Sequence, residues 1–104
     1  MSHRVLVMLG HSILSEAVRL FLSTKRGVEV ISVGDGAPGT YLLTLHPDII
    51  LIEEEGSVDI PSYLEAVPQA RVISFARDGG LTIYQKHEMQ VARLDDLLQV
   101  IEAG

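Results

Sequence analysis

Short continuous apolar runs alternate along the chain with stretches in which apolar residues recur every three or four positions. The first run, Arg4 to Leu9 (RVLVML), has the pattern of a strand buried on both faces, as in a parallel sheet. Gly10-His11 breaks it, and Ser12 is placed to cap a helix. Ile13, Leu14, Ala17, Val18, Leu20, Phe21 and Leu22 then follow helical spacing, and Lys25-Arg26-Gly27 closes the segment. Val28 to Val33 predicts a second strand, Gly34 to Gly39 a loop, and Thr40 to His46 a short helix. Pro47-Asp48 leads into a third buried strand, Ile49 to Ile52, which ends in Glu53-Glu54-Glu55-Gly56. A short helix over Pro61 to Val67 and a fourth strand, Arg71 to Ala76, complete the alternation. This order predicts a parallel sheet with right-handed crossovers.

The last quarter of the chain abandons that rhythm. Asp78-Gly79-Gly80 reads as a tight turn, and Leu81 to Gln85 (LTIYQ) as a strand. A parallel crossover needs about a dozen residues, far more than the turn provides, so this strand is expected antiparallel to the fourth. Lys86-His87-Glu88 reads as a second turn and Met89 to Arg93 as a further strand. Asp95 to Ala103 is expected to be a final helix, with Leu94, Leu97, Leu98 and Ile101 as its apolar stripe. The fold class expected is α/β: a three-layer, mostly parallel sheet with an antiparallel C-terminal hairpin, in a single domain over 1–104.

Composition narrows the chemistry. Hydrophobic residues make up 47% and charged residues 21% of 104 residues, enough apolar material for a packed core. The absence of cysteine removes disulfides, thiolate metal sites and cysteine nucleophiles. It also fits a reducing compartment, and a cytoplasmic location is expected. No run approaches a membrane span, and Met1-Ser2-His3-Arg4 enters a strand without the features of a signal peptide. The net charge of −6 opposes binding to nucleic acid.

Five segments carry a family resemblance: RVLVMLGH at 4–11, the helix after it, GVEVISVGDG at 27–36, HPDIILIEEE at 46–55 and ARVISFA at 70–76. In pattern and order they resemble the receiver domain of bacterial two-component response regulators, which implies a flavodoxin- or receiver-like form for the mostly parallel sheet. The resemblance implies a site in which paired first-strand acids hold Mg²⁺, a third-strand aspartate accepts a phosphoryl group, and a hydroxyl and a lysine complete the pocket. The matching positions here hold Leu9 and Gly10 for the acids, Glu53 for the phosphoacceptor and Ala76 for the hydroxyl. The lysine has no clear counterpart, Lys86 being nearby but in an expected turn. Mg²⁺ would have too few hard oxygen ligands there. Phosphoryl transfer rests on positioning and charge neutralisation, so its loss is expected. The implied object is a pseudo-receiver without enzymatic activity or cofactor.

Other motifs give alternatives. Gly34, Gly36 and Gly39 spell GxGxxG after a strand and before a helix, with Glu53 ending the next strand, which would suit a nucleotide or another small ligand. The following helix is short for that role, and Pro38 lacks an amide to offer a phosphate. Glu53, Glu54, Glu55 and Asp59 read as a solvated acidic loop or a weak cation site. His3, His11, His46 and His87 are dispersed, so no metal site is expected. His11-Ser12 are chain neighbours, without the orienting acid of a catalytic pair, and Ser12 reads as a helix cap. The partner expected is protein, with a homodimer formed through the C-terminal region 78–93. There the strand over 81–85 lies at or near a sheet edge and the usual fourth helix is missing.

Overall fold

The computed structural model describes residues 4–10, 12–34, 38–53, 60–85 and 88–103, with Glu88 and Ala103 as backbone alone. The strands are β1 (Arg4–Leu9), β2 (Val28–Val33), β3 (Ile49–Glu53), β4 (Arg71–Phe75), β5 (Gly80–Gln85) and β6 (Glu88–Arg93). The helices are α1 (Ile13–Ser23), α2 (Gly39–Thr44), α3 (Ile60–Ala66) and α4 (Leu97–Ala103), the last preceded by a 3₁₀ turn over Leu94–Asp96. All six strands form one sheet in the order β2-β1-β3-β4-β5-β6. β1 pairs in parallel with β2 and β3, and β3 with β4, whereas β5 and β6 are antiparallel to their neighbours.

The central strands are apolar on both faces because both faces are covered. Leu6, Met8, Leu51, Ile73 and Phe75 point to a layer made with Val18 and Leu22 of α1 and Leu97 and Ile101 of α4. Val7, Leu9, Ile50, Ile52 and Val72 point the other way, onto Leu42 of α2 and Tyr63 of α3. Asp48 ties the strand starts together. Its Oδ2 accepts the Val5 N–H at 2.7 Å, and its carbonyl accepts the Arg71 N–H at 3.1 Å.

Three expectations are corrected. Helix α1 does not bury every apolar residue at helical spacing: Leu14, Ser15, Val18 and Leu22 face the sheet, while Ile13, Leu20 and Phe21 are exposed. Helix α2 does not reach His46. It ends at Thr44, and His46 turns the chain at φ 52°, the left-handed conformation common just beyond a helix end. The edge of the sheet is β6, with β5 inside it. β4 and β6 pair along its two sides, so the strand over 81–85 offers no free edge, and Ile83 is buried on the face that α4 covers.

The hairpin turn is built as its residues suggest. Gly79 adopts φ 90°, the Gly80 N–H donates to Asp78 Oδ1 at 2.9 Å, and the Ala76 N–H donates to the Gly80 carbonyl at 2.9 Å. Arg93 reaches back to the Asp78 carbonyl at 2.9 Å, which fastens the end of β6 to this turn. Among the described residues no helix is long and apolar enough to cross a membrane.

Candidate functional site

The C-terminal ends of β1 and β3 and the start of α1 meet where the strand order changes direction. In open α/β sheets this is the place where ligands gather. Glu53, the last residue of β3, pairs with Phe75, and its side chain turns beneath α1. It is 6% exposed. Ser12 and Ser15 both donate their hydroxyls to Glu53 Oε1, Ser15 at 2.5 Å. Ser12 also caps α1, accepting the Ser15 N–H at 3.0 Å. The carboxyl group thus sits against the positive end of a helix, where negative charge is favoured. Its second oxygen, Oε2, is buried with no hydrogen-bond partner among the described residues.

Gly10 makes this arrangement possible. Its φ of 134° is one that side chains resist, and a Cβ there would lie 2.6 Å from Ser15 Oγ. Any larger residue at this position would displace the hydroxyl that holds Glu53. The neighbouring Leu9 is buried in the layer against α2 and α3. Ala76 follows the partner of Glu53 on β4 and is fixed by its own turn hydrogen bond. The structure therefore gathers Gly10 and Glu53 at one site and adds Ser15. Leu9, Gly10 and Ala76 carry no side-chain oxygen, so this donor set does not suit Mg²⁺. Among the described residues no three His, Cys, Asp or Glu side chains could share a metal ion.

Ser15 was not singled out from the sequence, although a signal was present. It precedes Val18 by three positions and Leu22 by seven, which makes it a polar residue within the buried stripe.

Of the glycine-rich stretch, Gly34 is exposed at the end of β2 and Gly36 lies outside the described residues. A Cβ at Gly39 would lie 2.6 Å from Ala66 Cβ, so this glycine allows α2 and α3 to touch. Glu54, Glu55, Asp59, Lys86, His3, His11 and His87 also lie outside the described residues. His46 is exposed beyond α2.

An open cavity of about 280 Å³ lies at the opposite end of the sheet, between Arg4, Lys25, Arg26 and Glu102. Two of its cations have local tasks. Arg4 donates to the Glu102 carbonyl at 3.2 Å, in the last turn of α4, and Lys25 Nζ lies 4.5 Å from the centre of the Phe21 ring. Arg71 donates to the Ile101 carbonyl at 3.2 Å, and burial, with Arg4 nearby, lowers its pKa from the ordinary arginine value.

The two faces of the sheet are covered unequally. Cross-strand register puts Thr82, Tyr84, Met89 and Val91 on the face that α2 and α3 cover further in. Beyond Tyr84 no described helix covers it, and Met89 and Val91 are 66% and 79% exposed. The opposite face of the same strands is closed by α4 through Leu97 and Ile101. The chain matches no protein-family model, no curated protein and no solved structure.

Proposed function

We propose that this protein is a non-enzymatic regulatory module that works by binding protein, with a second copy of itself as partner. The observation that carries this reading is the exposed apolar pair Met89 and Val91, beside the half-buried Tyr84, on the outermost strand of the sheet. An exposed strip of this kind beside an open strand edge marks an association surface. The strand order β2-β1-β3-β4 and the position of Glu53 at the end of β3 support a receiver-like ancestry. On that reading Glu53 stands where a phosphoacceptor would be. Its bonds to Ser12 and Ser15 support a structural role for it in place of phosphorylation. The alternative of a small-ligand or nucleotide site at Gly34 to Gly39 draws less support, because contact with Ala66 accounts for Gly39 and the two serines engage Glu53.

Sedimentation equilibrium across micromolar concentrations tests the proposal. The expected result is a reversible dimer at twice 11.4 kDa, converted to monomer by Val91→Lys, a change at an exposed position that leaves the fold intact. A monomer at every concentration overturns it.

A further inference from the structure

Resting on that reading, we propose that two copies join edge to edge through β6, antiparallel about a two-fold axis at Gln90, to form one continuous twelve-stranded sheet. The six strands of one copy end at β6, and among the described residues nothing pairs with its outer edge. Unpaired amides and carbonyls along such an edge template another strand.

Symmetry then restricts the register. A two-fold axis that sets two edge strands antiparallel runs perpendicular to the sheet and leaves its two faces in place. Only residues of the same face can therefore stand opposite one another. Three centres are available within the exposed stretch. Centring on Gln90 sets Met89 of each copy opposite Val91 of the other, so both exposed apolar residues are covered twice over. It pairs every residue from 88 to 92, and it places the two Gln90 side chains together on the other face, where their amides can bond. Centring on Val91 instead sets Met89 opposite the charged Arg93. Centring on Met89 pairs only 88–90 and leaves Val91 outside.

Charge favours the same edge. From Arg77 to Arg93 the chain carries three cations, Arg77, Lys86 and Arg93, against two acids, Asp78 and Glu88, while its total is −6. This stretch is close to neutral, so two copies meeting edge to edge bring little like charge together there. The apolar stripe of Ile13, Leu20 and Phe21 on α1 is the competing surface. It has no strand edge to extend.

Single-cysteine variants decide the register, since the chain has no cysteine of its own. Under mild oxidation Gln90→Cys is expected to form a disulfide-linked dimer, because residues directly opposite have Cβ atoms about 4.5–5.5 Å apart. Met89→Cys alone and Val91→Cys alone are expected to stay unlinked, because each then faces its own copy diagonally, about 7–8 Å away. Mixing these two variants is expected to give the heterodisulfide. If sedimentation shows a dimer but Gln90→Cys stays unlinked, or Val91→Cys links instead, the proposed register fails while self-association stands. A dimer lost in Leu20→Glu but kept in Val91→Lys moves the interface to α1 and overturns the inference. A monomer throughout removes both proposals.

Discussion

Glu53 is held by hydroxyls, with no basic side chain bonded to it among the described residues, and that makes Ser15 more important than an ordinary helix serine. Its hydroxyl is the buried one of the two donors, and Oε2 has no partner among the described residues. Removing a partner from a buried polar group costs about 1–3 kcal/mol. Ser15→Ala is therefore expected to lower the free energy of unfolding by about that amount in urea titrations, with an unchanged denaturant slope. A variant as stable as the parent would show that the carboxyl group does not depend on this bond. The sequence made half of this legible. Ser12 precedes a helical pattern and reads as a cap, and Glu53 ends a buried strand. The link between them was hidden because a serine inside a helix gives no local sign of what it faces. Only the placement of α1 over the end of β3 supplies that. The same blindness to direction left Ile13, Leu20 and Phe21 undistinguished from the residues of α1 that face the sheet.

At the scale of elements, the contact of α2 with α3 depends on one missing methyl group. Alanine ordinarily improves a helix by about 0.8–1.0 kcal/mol over glycine. At position 39 the close approach of Ala66 reverses the sign, since the two helices would have to separate. Gly39→Ala is expected to lower the melting temperature, and Gly39→Ala/Ala66→Gly to recover part of the loss, a coupling that a double-mutant cycle reads directly. Strictly additive losses would mean that the helices part without consequence. Element types were largely readable, because the change from continuous apolar runs to helical spacing is strong in this chain. The antiparallel turn into β5 was readable for a geometric reason, the shortness of the Asp78-Gly79-Gly80 segment. The end of α2 was not. His46 adopts a left-handed conformation that glycine would have advertised and histidine does not.

For the whole molecule, protection from hydrogen exchange should fall outward from the centre of the sheet. Amides of β1 and β3 lie between covered faces and paired strands, so they are expected to exchange only through global unfolding. Amides on the outer edge of β6 are expected to exchange fastest among the strands in dilute solution and to slow as concentration rises. Rates independent of concentration would contradict the edge-to-edge assembly. The parallel part of the sheet followed from the alternation of strand and helix patterns. Which strand forms the edge did not, because that depends on whether the last strand adds beside β5 or elsewhere.

The order of strands also has a consequence for synthesis. β1 finds its partners in β2 and in β3, where Leu6 meets Ile49, and all three leave the ribosome before the last segments are made. The antiparallel strands β5 and β6 then each add beside the strand just completed, which requires only short loop closures. The sheet can therefore grow outward in the direction of translation. The sticky edge strand emerges after the five strands that carry it, so it meets a sheet already there to hold it.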